Sequence, residues 1–167
     1  MTIRKTTRDD LVRVLEIYED ARLFMKQTGN PNQWGDKHPS DEMIREDVER
    51  GDSYVCVEGE EILAVFFYAE GDDPTYGYIE NGAWLDDEPY GVIHRIAVAA
   101  RGRGVAAFCF DYALSRCKNL KIDTHEQNLP MQRSLEKNGF SRCGTIYLPD
   151  GRPRSAFQKR KDDSTKG

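Results

Sequence analysis

The side chains and backbone best suited to chemistry lie together between Tyr90 and Leu114, in the run YGVIHRIAVAARGRGVAAFCFDYAL. Arg101-Gly102-Arg103-Gly104 supplies two guanidiniums and two residues without a Cβ. Glycine bends the chain freely and lets a ligand approach the main chain where a Cβ would intrude. Amides that converge at a helix start, with the positive end of the helix dipole, form an anion site. The chemistry these residues suit is retention of a phosphate. His94, just upstream, carries the side chain best matched to proton transfer near neutral pH.

Those residues need elements to hold them. Val92 to Val98 alternates and carries Val and two Ile, which predicts a buried strand. Val105, Phe108, Cys109, Tyr112 and Ala113 fall on one stripe, which predicts a helix from Val105 to Leu114. The result is a strand, a tight glycine turn and a helix. It is neither a Walker A loop, because no Lys-Ser/Thr follows the second glycine, nor a G-x-G-x-x-G fingerprint. A glycine turn ahead of a helix also serves packing alone, and that reading stays open on this stretch by itself.

The chain has 167 residues, 38% hydrophobic and 32% charged, which fits one globular domain with a core of its own. No apolar run approaches the length of a membrane span, and the N-terminus MTIRKTTRDD has no apolar core of a signal peptide. Neither export nor membrane association is expected. Cys56, Cys109, Cys117 and Cys143 lack C-x-x-C spacing and read as reduced thiols in a cytoplasmic protein. His38, His94 and His125 lack metal-ligand spacing, so no metal is expected. The net charge of −5 conceals an asymmetry: Asp41 to Tyr90 holds 16 acidic and 2 basic residues, whereas Gly91 to Gly167 holds 7 acidic and 15 basic. That suits an anionic cofactor on the C-terminal half and a cationic group against the middle. The acidic balance and the lack of a basic-aromatic run argue against nucleic acid as a partner.

In chain order, Thr2 to Lys5 reads as a strand. Thr7 is placed to cap a helix marked by Leu11, Val14, Leu15, Tyr18, Ala21 and Met25. A loop holding Trp34 follows, then a short helix, Asp41 to Arg50, between Ser40 and Gly51. Ser53–Glu58 and Glu61–Glu70 form a hairpin about Gly59. Gly71 to Pro89 is irregular, with Tyr76, Tyr78 and Trp84 among carboxylates. It reads either as a surface loop with its aromatics tucked inward, or as a lip that receives a cationic amine, with Trp34 and Tyr90 beside it. Asn119 to Thr124 is a strand, Asn128 opens a helix that runs to Asn138, and Phe140–Leu148 with Pro153–Lys159 form a hairpin across Asp150-Gly151. Residues 160–167 are charged and expected to fray, leaving residues 1–159 as the domain.

Arg101, Gly102-Arg103, Gly104, Val105, Ala106, set directly after Arg95-Ile96-Ala97-Val98, resembles the acetyl-CoA loop of the GNAT superfamily of acetyltransferases. Asn128 after a strand, and Glu136-Lys137-Asn138-Gly139-Phe140 at a helix end, resemble the family's next unit, and the order of elements matches over Thr2 to about Lys159. The resemblance implies an α/β fold with a mixed, largely antiparallel sheet flanked by helices. It implies acetyl-CoA as co-substrate and acetyl transfer to a primary amine, and the acidic middle segment with its aromatics suits a small cationic one. It also implies that Ile96, Ala97, Val98, Arg101, Gly102, Arg103, Gly104, Val105, Ala106 and Asn128 hold the cofactor, with an amide of Ile96 or Ala97 facing the thioester carbonyl.

Two departures from the family pattern matter. Only Ala99 and Ala100 separate Val98 from Arg101, which draws the loop close to the strand. Where many relatives carry a general-acid Tyr, this chain has Leu135, in Ser134-Leu135-Glu136-Lys137, so the acid is solvent or Tyr147. The candidate bases are His94, His125 and Glu80. Other readings remain: a GNAT-like domain that binds acetyl-CoA without transfer, a protein N-terminal acetyltransferase, and a phosphate- or nucleotide-binding module. Homodimerisation is left open.

Overall fold

The computed structural model describes residues 1–35 and 37–161. In order, the elements are β1 (Thr2–Lys5), a single 3₁₀ turn (Arg8–Asp10), α1 (Leu11–Gln27), α2 (Asp41–Arg50), β2 (Ser53–Glu58), β3 (Glu61–Glu70), β4 (Gly91–Val98), α3 (Val105–Cys117), β5 (Asn119–Thr124), α4 (Leu129–Lys137), β6 (Ser141–Tyr147) and β7 (Pro153–Arg160). A second 3₁₀ turn, Pro74–Tyr76, interrupts the β3–β4 connection.

Local chemistry sets most boundaries. The Ser40 hydroxyl accepts the Met43 amide at 3.1 Å and starts α2, which ends at left-handed Gly51. The Asn128 side chain accepts the Met131 amide at 3.2 Å and starts α4. Each satisfies a donor that a helix start leaves without an intrahelical partner.

The chain divides into two compact units. In the first, Met1–Tyr68 with His94–Tyr112, β1 pairs antiparallel with β2 and β2 with β3. Its core gathers Val14, Ile17 and Tyr18 of α1, Trp34, Ile44 of α2, Val55, Ile62, Val65 and Ala97. Burying each of the larger side chains contributes roughly 1.5–3 kcal/mol. In the second unit, Ala69–Ile93 with Ala113 onward, the start of β4 pairs parallel with β5, and β5, β7 and β6 pair antiparallel. Leu120, Ile122, Leu135, Ile146 and Phe157 are buried there. The strand order in the seven-stranded sheet is β1-β2-β3-β4-β5-β7-β6. This is the mixed, largely antiparallel sheet with flanking helices that the resemblance implies. Among the described residues, no helix is long and apolar enough to cross a membrane.

Arg160, expected in the tail, closes β7, and the Lys161 amide donates to the Lys118 carbonyl at 2.9 Å. Residues 162–167, the rest of that segment, lie outside the described residues.

At the entry to α1, the Asp10 carboxylate accepts Arg4 Nη1 at 2.7 Å, Arg4 Nη2 at 3.0 Å and the Thr7 amide at 2.7 Å. The Arg4 hydrogen bonds lead in holding the Asp10 carboxyl down at about 2. The folded chain therefore binds this proton less tightly than the unfolded chain. The stabilisation is complete above the unfolded carboxylate value, near about 4, and fades as pH falls toward 2. Asp10→Asn should lower Tm by roughly 2–4 °C at neutral pH and leave it unchanged at the acid end of that window. An equal loss at both pH values would contradict this origin.

Candidate active site

After β4, the amides of Ala99 and Ala100 both donate to the Leu63 carbonyl, at 2.8 and 3.4 Å, so the chain turns immediately beyond Val98. Arg101 to Gly104 follow, all exposed, with Gly102 at φ 77° and Gly104 at φ 72°. A Cβ added at either glycine would meet nothing within 4 Å, so packing does not explain them. What they satisfy is a left-handed backbone beside open space. Phe108 donates to Gly104 at 3.1 Å as α3 begins, and the helical amides ahead of Phe108 lack a helical carbonyl four residues back. Arg101 lies over the Phe24 ring at 3.6 Å, and Arg103 Nη2 sits 3.3 Å from Glu58, half exposed. Loop amides, a helix start and two guanidiniums thus meet at one surface, the composition of an anion cradle.

Strand β4 is not regular. Arg95 has φ 51°, left-handed in mid-strand, where a residue with a Cβ pays roughly 1–2 kcal/mol. Three groups surround it. The Asp47 carboxylate on α2 takes Arg95 Nε at 3.0 Å and Nη2 at 2.9 Å, a bidentate pair with side chains 6% and 17% exposed. The Tyr18 hydroxyl on α1 donates to the Arg95 carbonyl at 2.7 Å. The Phe67 ring lies 4.7 Å from the guanidinium carbon. Burial pushes the Asp47 carboxyl up, against the pull of Arg95, and pushes the Tyr18 hydroxyl up so that it remains a donor. The kink also redirects His94. Neighbouring residues of a regular strand face opposite ways, yet His94 reaches the same Phe67 ring as Arg95, with centroids 5.6 Å apart. Ala97 packs in the core of the first unit, while Ile96 and Val98 are half-buried.

The remaining candidates lie elsewhere. Trp34 is buried in the first unit's core, against Tyr18 and His38. In the second unit, Tyr76, Trp84 and Tyr90 pack on one another and enclose Lys121, whose ammonium lies 4.2 Å from the Trp84 ring and 3.8 Å from Tyr90. Burial lowers the Lys121 pKa, and Asp86 opposes the shift. The aromatic faces that suit an incoming ammonium therefore already hold one. Tyr76 donates to Asp123 at 2.8 Å, and the Asp73 amide donates to the Tyr90 hydroxyl at 2.9 Å. Asp86 accepts from Asn119, Gln158 and Arg160, so it fastens the loop to the sheet.

His125 directly follows β5, its Nδ1 accepting the Gln127 amide at 3.0 Å. That lone pair is the one a base would use, and burial followed by Arg154 lowers the imidazole pKa. Glu80 exchanges both backbone bonds with Thr145, at 2.9 and 2.8 Å. The approach is so close that a Cβ on Gly144 would stand 2.5 Å from the Glu80 carbonyl oxygen. Tyr147 stacks on exposed Tyr78. Asn128 caps α4, and Leu135 is fully buried.

Asp47, Tyr18 and Lys121 escape a pattern reading because they look like ordinary helix or strand residues. The available signal was a charge on an apolar face: Asp47 one turn after Ile44, and Lys121 between Leu120 and Ile122. Among the described residues no cluster of His, Cys, Asp or Glu could hold a metal.

Residues 1–141 match the family model of the GNAT acetyltransferase domain. The fold is shared with a GNAT-family acetyltransferase from Streptococcus agalactiae at 31% identity and TM-score 0.88, covering 96% of this chain and 95% of that one. It is also shared with a ribosomal-protein-alanine N-acetyltransferase from Brucella melitensis, at 19% identity and TM-score 0.65 over 96% and 99% of the two chains. An aminoglycoside acetyltransferase solved with coenzyme A and kanamycin is similar at 19% identity and TM-score 0.66, over 99% and 97%. At that identity the last two likenesses speak to fold alone. No curated protein matches the chain. The chain belongs to the GNAT family of acetyltransferases. The activity that goes with membership is acetyl-CoA-dependent N-acetyl transfer.

If the glycine loop holds the cofactor, Gly104→Val forces a β-branched residue into left-handed backbone and fills the approach to the amides. Calorimetry should then give an acetyl-CoA Kd raised at least about tenfold, roughly 1.4 kcal/mol. Unchanged affinity in a folded variant would remove the loop from the site.

Proposed function

We propose that this enzyme moves the acetyl group of acetyl-CoA directly to the primary amine of a small molecule. The observation that carries the reading is the exposed, left-handed Gly102 and Gly104 pair between the kinked β4 and the start of α3, in a chain of this family. A structural relative solved with coenzyme A and kanamycin supports a CoA co-substrate and a small-molecule acceptor. Cationic character in the acceptor was expected from the aromatic loop. Lys121 occupies that loop's cage, so the proposal does not include it. The four free cysteines agree with a reducing, cytoplasmic setting.

In this reading the amides of the loop and of the first turn of α3 hold the pyrophosphate, and Arg101 and Arg103 add charge. The acceptor nitrogen loses a proton and attacks the thioester carbonyl. The carbonyl oxygen takes the negative charge, against an amide of β4 just after Arg95. The C–S bond then breaks, the nitrogen sheds its second proton to solvent, and the thiolate leaves and takes a proton from solvent. His94 is our choice of base because it shares β4 with that amide, whereas His125 spends its acceptor nitrogen on Gln127.

Turnover of labelled acetyl-CoA against a panel of primary amines tests the reading, and His94→Gln tests the base. The variant should lose about 100-fold in kcat while keeping its acetyl-CoA affinity. A near-normal kcat would pass the role to solvent. Tight acetyl-CoA binding with no amine acetylated would leave a cofactor-binding domain instead.

A further inference from the structure

We propose that Tyr18, Asp47 and Arg95 form a positioning latch that selects the Ile96 amide as the donor to the thioester oxygen. This rests on the transfer reaction proposed above. A trans peptide is a rigid plane whose C=O and N–H point in opposite directions. The Arg95 carbonyl and the Ile96 N–H belong to one such plane. Tyr18, 2% exposed within α1, takes that carbonyl at 2.7 Å, so the Ile96 N–H is aimed away from the Tyr18 side of the strand. The plane holds this direction only while Arg95 stays left-handed at φ 51°.

No glycine supplies that conformation. The two-pronged bond from Asp47 fixes the side chain beyond the kink, at 3.0 and 2.9 Å, and Tyr18 fixes the carbonyl after it. An ion pair that served stability alone would need neither the left-handed backbone nor a hydroxyl on the main-chain oxygen. Backbone strain persists where surrounding bonds over-determine it, and such places cluster at functional sites. The three residues are positioning residues, because only the Ile96 amide meets the reacting atoms.

The test separates backbone shape from charge. Asp47→Asn combined with Arg95→Gly removes the ion pair but lets residue 95 remain left-handed. Asp47→Asn combined with Arg95→Ala removes the same pair and penalises that conformation. With the amine that the wild-type enzyme acetylates fastest, the glycine pair should keep kcat within about tenfold of wild type, and the alanine pair should lose at least about 100-fold, the usual loss on removing one oxyanion donor. Acetyl-CoA Kd should stay within about threefold in both. Equal kcat in the two double variants, high or low, overturns the latch.

Tyr18→Phe supplies a second arm should either double variant unfold. It should lower kcat about tenfold at unchanged acetyl-CoA Kd, and unchanged kcat counts against the proposal. A third readout needs no acceptor. On adding acetyl-CoA, the Ile96 amide resonance should shift in the wild type and the glycine variant but not in the alanine variant. If it shifts alike in all three the latch fails, whatever amine the enzyme uses. A wild type that acetylates no amine, yet shows the Ile96 shift, defeats the proposed reaction and leaves the aimed amide standing.

Discussion

A guanidinium, a carboxylate and a phenol meet at one distorted residue, Arg95, and the course of β4 follows from them. Left-handed backbone at an arginine costs roughly 1–2 kcal/mol, and a buried carboxylate without its partner costs about 3–5 kcal/mol. The bidentate Asp47 pair and the Tyr18 bond to the Arg95 carbonyl offset both penalties at once. Each partner arrives on a different helix, Tyr18 on α1 and Asp47 on α2, both of which carry core residues of that unit. Core packing thus fixes two anchor points, and the anchors fix a kink in β4. Downstream, β4 delivers the chain to the Leu63 carbonyl and into the glycine loop.

The loop and the kink work by different physics. The loop relies on glycine's conformational freedom and on amides left without helical partners, with Arg101 on Phe24 and Arg103 beside Glu58 at its edges. The kink relies on side chains that force an unfavourable backbone into place. One therefore tolerates many neighbours, whereas the other depends on particular ones. The second unit handles charge in a third way: Lys121, 4% exposed, sits between the Trp84 and Tyr90 rings. Cation–π attraction strengthens as water is excluded, which suits an ammonium placed inside a sheet.

Periodicity and turn chemistry carried much of the fold. Ser40 and Gly51 bracket α2, Gly59 marks the β2–β3 hairpin and Asn128 opens α4, each for a reason local to a few residues. The glycine loop was legible because glycine advertises left-handed backbone. Arg95 was not, because nothing in IHRIAV signals that an arginine rather than a glycine adopts that conformation. It is imposed by residues 77 and 48 positions away. The aromatic loop misleads for a related reason. Carboxylates and rings do suit an ammonium, but composition cannot tell whether the ammonium is a substrate's or the chain's own Lys121.

In the proposed reaction, a kink held by side chains and a glycine loop at a helix start together present acetyl-CoA for attack. A crystal structure with acetyl-CoA bound tests it most directly. Pyrophosphate oxygens are expected within about 3 Å of amides between Gly102 and Ala106, with Arg95 still left-handed and paired with Asp47. Phosphates bound away from that loop, or an Arg95 relaxed to extended backbone in the complex, would contradict it.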